Sequence, residues 1–377
     1  MHACARTTER PLLEVGDLFR AYGARYRSRY KVSIKQHRVM EAISRCRSAS
    51  LGAHVDRCSQ CAYEQISYNS CGDRHCPKCE GPRRQRWVAA RLEQLLPIEY
   101  FHVVFTLPAR LNDLVRHNER LCYDLLFQSA SQTLQAFAAR HWKGRLGITM
   151  VLHSWGQNLS YHPHVHCLVS GGALSFDGAR WQGAPSGYLF PVKALAQVFR
   201  GKYRAALERA HRRGELVHPT PSLIKAQGFS CWLRDRQQWI VYAKAPFAGP
   251  ASVVRYLGRY THRVAISNRR LLTCEADQVS FRWKDYRDGQ HKVMTLPVLE
   301  FMRRFLHHVL PQGFVRIRHY GFHAAPALLA QCRQLLAEEV PVLEATVLER
   351  PCPRCGEGVL VFQYRLPGYV WDETKPP

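Results

Sequence analysis

No apolar run in this chain approaches the roughly 18 residues that a membrane-spanning helix requires, and the opening MHACARTTER holds no apolar signal segment. A soluble, cytoplasmic protein is expected. Acidic residues are scarce: 29 Asp and Glu face 54 Lys and Arg, for a net charge of +25 and a pI near 9.8. Between Arg20 and Met40 there is no acid at all. A nuclease built on a carboxylate triad therefore has few candidate ligands, whereas a polyanionic partner, nucleic acid first, is favoured. The chain also lacks a GxxxxGK[ST] phosphate loop, an internal repeat and a low-complexity linker.

What the chain does have is length, with 377 residues and 46% apolar content, enough for two or three domains and a real core. It has 14 cysteines. Several fall in CxxC pairs instead of spreading along the chain, which points to metal in a reducing compartment and away from a disulfide framework.

Periodicity gives the organisation. Residues 12 to 48 read as basic helices, followed by a cysteine-rich block and an amphipathic helix, RRQRWVAARLEQLL, closed by Pro97. EYFHVVFTLP alternates as a strand, and a helix is expected from about Leu111 to Trp142. GITMVLHSWGQ and HVHCLVSGG read as strands of one hairpin, with Pro163 disrupting the start of the second. A basic helix, a strand at WIVYAKAP, and a helix opening at PASVVRYLGRYTHRVA come next. QVSFRWKDYRDGQHKVMTL then reads as a hairpin turning at Asp288 and Gly289, ahead of a tail with a last CxxC at Cys352 and Cys355. Composition divides the chain into a basic helical segment (1–45), a cysteine-rich module (46–97), a central domain (98–325) and a tail (326–377).

In CSQCAYEQISYNSCGDRHCPKC the pairs Cys58/Cys61 and Cys76/Cys79 offer the four thiolates of a closed tetrahedral zinc site. Cys46, His54, Cys71 and His75 remain as a possible second set. Arg83 and Arg84 follow the second knuckle and suit DNA phosphates; a closed zinc site serves structure and leaves grip to such charges.

His164 and His166 are two apart, so on a strand they share a face while Val165 turns into the core. An HxH pair by itself is more often two solvated histidines. With a third donor from the neighbouring strand it becomes an open metal site, and there Gln157 is the preferred ligand with His153 behind it. Tyr256 and Tyr260, four apart on a helix, would share a face flanked by Arg255, Arg259 and Arg263, a place where phenols meet phosphate.

Taken together, FTLP at 105 to 108, HPHVH at 162 to 166 and YLGRY at 256 to 260 resemble the HUH endonucleases. More closely they resemble the two-tyrosine transposases of rolling-circle insertion sequences, the IS91 type. YNSCGDRHCPKC is similar to the zinc-binding region that precedes the catalytic domain in that family. The resemblance implies an α+β fold, an HUH core of antiparallel sheet with packed helices behind a helical, zinc-binding N-terminal module. It implies His164 and His166 as ligands of a catalytic Mg²⁺ or Mn²⁺, structural Zn²⁺, and Tyr256 and Tyr260 as nucleophiles forming 5′-phosphotyrosine with single-stranded DNA. A plasmid replication initiator or relaxase would use the same chemistry, and a non-catalytic zinc-dependent DNA-binding protein is the reading from another class.

Overall fold

The computed structural model describes residues 11–234, 239–244, 258, 265–285, 287–337 and 350–368, the side chains of residues 80, 82, 83 and 226 excepted. The chain opens with helices α1 (Val15–Arg29) and α2 (Ile34–Arg45). A capping box starts α2: Ser33 Oγ accepts from the Gln36 backbone N–H at 3.2 Å, and Gln36 Oε1 accepts from that of Ser33 at 3.0 Å. Strands β1 (Ala53–Cys58) and β2 (Glu64–Tyr68) form a hairpin, and α3 (Glu80–Leu92) leads into the central domain.

That domain is built on one antiparallel sheet. Its strands are β3 (Tyr100–Thr106), β4 (Gly144–Trp155), β5 (Tyr161–Ser175), β6 (Trp181–Gly183), β7 (Ile240–Lys244) and β11 (Ile317–Gly321), in the order β11–β4–β5–β3–β7 with β6 against β5. Between them run α4 (Asn112–His117), α5 (Glu119–Trp142), α6 (Val192–Arg212) and α7 (Ala226–Arg234). The single helix expected from Leu111 breaks at Asn118, whose side-chain amide donates to the Leu114 and Val217 carbonyls, both at 2.8 Å. Pro163 does not interrupt β5. It lies in the strand, and its carbonyl accepts from the Leu107 N–H at 3.1 Å. The double glycine of β5 serves a close approach: a Cβ at Gly171 would lie 2.7 Å from the Glu99 carbonyl.

Period-two alternation divides this sheet into two unlike faces. Phe101, Val103 and Phe105 of β3, Ile148, Met150 and Leu152 of β4, and Val165, Cys167 and Val169 of β5 point one way. They are buried with Leu126, Phe127, Ala130 and Leu134 of α5 and Phe199 and Tyr203 of α6. The other face carries Tyr100, His102, His153, His164, His166 and Leu168. Trp87, Val88 and Leu92 of α3 pack over its Tyr100 and Leu168.

A second core lies beyond the sheet. Strands β8 (Leu271–Glu275), β9 (Gln278–Lys284) and β10 (His291–Pro297) make a three-stranded meander, with the β9–β10 turn at Asp288 and Gly289, where Gly289 takes φ +73°. Helix α8 (Val298–Leu306) follows. Its Phe301 and Phe305 pack on Phe281 and Phe19, ring centroids 5.7 and 5.6 Å apart, so the N-terminal helices share their apolar face with residues 265–309. Helix α9 (Pro326–Leu335) starts on its proline, and β12 (Leu360–Leu366) joins the far side of β1 in a small sheet ordered β12–β1–β2. No helix among the described residues is long and apolar enough to cross a membrane.

Phe105 is fully buried, its ring centroid 4.9 Å from that of Phe199. Phe105→Ala should cost about 3–5 kcal/mol of stability. Urea unfolding followed by circular dichroism would show it as a lowered midpoint with an unchanged slope; an unmoved midpoint would place the core elsewhere.

Candidate active site and metal centres

Register assembles the histidines. On one side of β5, His153 of β4 stands opposite His164; on the other, Thr106 and Val104 of β3 stand opposite His164 and His166. The ligand nitrogens of His153, His164 and His166 all lie within 4.8 Å of one another. His164 Nδ1 is 2.6 Å from the His162 carbonyl oxygen. A carbonyl only accepts, so Nδ1 carries the proton and Nε2 keeps its lone pair. That lone pair faces His166 Nε2 at 3.1 Å. His166 Nδ1 in turn meets His102 Nε2 at 2.9 Å, and when it donates there its own Nε2 is free to ligate.

Burial keeps His164 and His166 neutral: it is the leading cause that pushes His164 down to about 3, with the His162 charge adding to it, and His166 well below its ordinary value, with His153 and His164 adding to it. Neutral imidazoles are the form that a divalent ion takes, and the three converging donors fit one.

The third nitrogen in this group is that of His153. Gln157, preferred from the sequence, lies beyond the end of β4 in the turn over residues 156–160, where its backbone carbonyl accepts from Arg270. The sequence reading ran the strand on through Gly156, but β4 stops at Trp155. His162 contributes its carbonyl, not its ring, to the group. His102 was missed, because a single histidine in an alternating strand carries no signal until the strand's neighbour is known.

Tyr256, Tyr260, Arg255, Arg259 and Arg263 lie outside the described residues, as does the Arg83 side chain. Gly258, between the two tyrosines in sequence, is described and buried. A Cβ there would stand 2.3 Å from Val88 Cγ2 and 3.8 Å from Arg84 Cγ, so its backbone lies directly on α3.

The cysteines group differently from the sequence expectation. Cys46, Cys71, Cys76 and Cys79 come together, with Sγ separations of 3.5 Å for Cys46–Cys79 and 3.6 Å for Cys71–Cys79. A tetrahedron of thiolates 2.3 Å from zinc has edges of about 3.8 Å, so the four fit that ion and leave no position open. Cys58 and Cys61 meet Cys352 and Cys355 instead of Cys76 and Cys79. The reason is the β1–β2 hairpin: Cys58 and Cys61 sit at its tip, while Cys46 and Cys71 flank its open end, roughly a strand length of 17–20 Å away. His54 and His75 join neither group. His75 Nδ1 is 2.8 Å from Asp73 and its Nε2 accepts from the Leu310 N–H at 3.3 Å; His54 contacts Asn69 at 3.3 Å.

The buried neutral histidines also set an acid limit. His308, 1% exposed and pushed down to about 3 by burial, with His307 and Arg116 adding to the effect, is held between Ser154 and the Leu159 carbonyl. Below pH 6.5 the unfolded ring takes up a proton that the folded one refuses, so stability falls as the pH falls. For His308 the loss between pH 6.5 and 5 is about 2 kcal/mol. Thermal unfolding at stepped pH should show this decline, flattened in His308→Gln; a melting temperature constant down to pH 5 would refute it.

Residues 147–329, which contain the three histidines, match a family described as "Putative transposase", and residues 18–107 match a "Transposase zinc-binding domain". The "Putative transposase y4qJ" of Sinorhizobium fredii (strain NBRC 101917 / NGR234) is 45% identical over 374 residues, covering 92% of this chain and 94% of that protein. The "Transposase for insertion sequence element IS801" of Pseudomonas savastanoi pv. phaseolicola is 29% identical over 316 residues, covering 82% and 73%. No solved structure matches. With both regions matched in order and the likeness running nearly end to end, the chain belongs to the IS91-like family of transposases and carries the zinc-binding domain of that family.

Proposed function

We propose that this transposase cuts and rejoins single DNA strands through tyrosine, with a divalent ion at His153, His164 and His166. The observation that carries the reading is the convergence of those three imidazoles on one sheet face. Three nitrogen donors without a carboxylate suit Mn²⁺ better than Mg²⁺, which prefers oxygen. When bound, the ion would polarise the scissile phosphate and neutralise charge developing on it.

The residues around the ion have separate tasks. The His162 carbonyl and His102 fix the tautomers of His164 and His166, and β4 supplies His153 in register. The phenol of Tyr256 or Tyr260 attacks phosphorus. The phosphorus–O3′ bond breaks, the phenolic proton is given up, and the departing oxygen ends as a 3′ hydroxyl. The strand is left as a 5′-phosphotyrosine that keeps the energy of the phosphodiester, so a second 3′ hydroxyl reverses the step without a nucleotide cofactor. A phenol titrates near 10, and Arg255, Arg259 and Arg263 are assigned the phosphates around it.

Support for the tyrosines comes from Gly258. Its backbone lies on Val88 of α3, which packs over Tyr100 and Leu168, and Leu168 follows His166 on the same face of β5. Two nucleophiles suit a rolling-circle sequence with two cleavages, one tyrosine holding the donor end while the other cuts.

A single-stranded oligonucleotide of the element end, incubated with Mn²⁺ and resolved under denaturing conditions, tests the reading. A covalent adduct should map to Tyr256 or Tyr260 by mass spectrometry and vanish in the double Tyr→Phe variant. His164→Ala should abolish it while keeping DNA affinity, since affinity rests on the basic surface. His102→Ala should weaken Mn²⁺ binding by about 10–100-fold. Salt-sensitive binding with no adduct under any condition would instead make the chain a non-catalytic DNA-binding protein.

A further inference from the structure

We infer that the chain binds a second zinc ion, separate from the one at Cys46, Cys71, Cys76 and Cys79, and held half by each end of the sequence. Its ligands are Cys58 and Cys61 at the β1–β2 tip and Cys352 and Cys355 just before β12. The inference does not rest on the cleavage chemistry. The matched zinc-binding region ends at residue 107, so the second pair of ligands lies well outside it.

The geometry is that of a built site. Cys58 and Cys355 are 3.7 Å apart at Sγ, as are Cys61 and Cys352, close to the tetrahedral edge of about 3.8 Å and far from a disulfide bond. All four thiols are free. Each knuckle turns its amides onto sulfur: the N–H groups of Gln60 and Cys61 donate to Cys58 Sγ at 3.4 Å, that of Arg354 to Cys352 Sγ at 3.4 Å, and that of Gly358 to Cys355 Sγ at 3.4 Å. Such donors favour thiolate, the ligating form. The two halves are also closed alike, Cys58 N–H to the Tyr63 carbonyl at 2.8 Å and Cys352 N–H to the Gly358 carbonyl at 2.7 Å. Four thiolates with no vacant position select Zn²⁺ in a structural role.

The surrounding contacts are shaped for this meeting. A Cβ at Gly358 would lie 2.4 Å from Cys58 Sγ, so only glycine fits there. Ser59 and Val359 exchange hydrogen bonds at 3.0 and 3.1 Å, and Arg350 pairs with the buried Asp56. Apolar burial does little to hold β12 in place, because Val361, Phe362 and Tyr364 are 47%, 54% and 51% exposed. A strand so exposed needs a clasp, and the metal supplies it.

Zinc measured by mass spectrometry on the reduced full-length protein carrying His164→Ala, which removes the histidine site, should give two ions per chain. In that background Cys352→Ser/Cys355→Ser should give one, and Cys58→Ser/Cys61→Ser also one. Gly358→Val, which keeps every thiol and blocks the approach, should do the same. Cobalt substitution should halve the thiolate charge-transfer band in each of these variants. One ion in the His164→Ala protein would overturn the inference, and so would two when Cys352→Ser/Cys355→Ser is added to it. If a serine variant fails to fold, the Gly358→Val result and the band intensity of the unaltered protein decide.

Discussion

The pairing of β4 with β5 is the constraint on which the rest of the molecule turns. Its register sets His153 against His164 and leaves Val165 and Cys167 to the helices behind. A slip of one residue would send the imidazoles into the apolar layer and the valines out of it, so the core that α5 and α6 fill also fixes the histidine-bearing side. Stability and the candidate chemistry are written on alternate residues of the same strand. The short turn over 156–160 holds that register, Leu159 taking φ +62° and the Gly156 N–H donating to the Ser160 carbonyl at 2.9 Å.

Charge is distributed with similar economy. The chain carries 25 more cations than anions, and several of its carboxylates are paired with cations. Asp56 takes Arg350, Glu14 takes Lys78, and Asp124 takes Arg318. Arg287 and Lys292 hold the Asp285 carboxyl well below the usual range, and Arg303 with Arg304 draws Glu300 down to about 2. The histidine group offers nitrogen donors in place of carboxylates. The net positive charge suits a phosphate backbone.

Local pattern made much of this legible. The HxH spacing placed two rings on one face, the β-branched and aromatic run of 100–106 gave β3, and the Asp-Gly turn gave β9–β10. What local pattern could not supply was distance. Two CxxC knuckles 14 residues apart read as one site, yet the hairpin between them carries Cys58 and Cys61 away from Cys76 and Cys79 and toward residues nearly 300 positions later. His102 is likewise a tertiary fact, visible only once β3 flanks β5, and so is the placing of His153, not Gln157, beside His164. The packing of α1 on α8 belongs to the same class, since each helix shows an apolar stripe and neither names its partner.

The β1–β12 pair has a consequence for biosynthesis. Ala53 stands opposite Leu366, so the ribosome adds roughly 300 residues after β1 before its edge can be covered. A nascent chain must therefore carry that edge open, and a product terminated early keeps it so, with two unsatisfied thiols at its tip. Synthesis of residues 350–366 is thereby registered at β1, and a chain stopped before them keeps an unpaired edge open to aggregation.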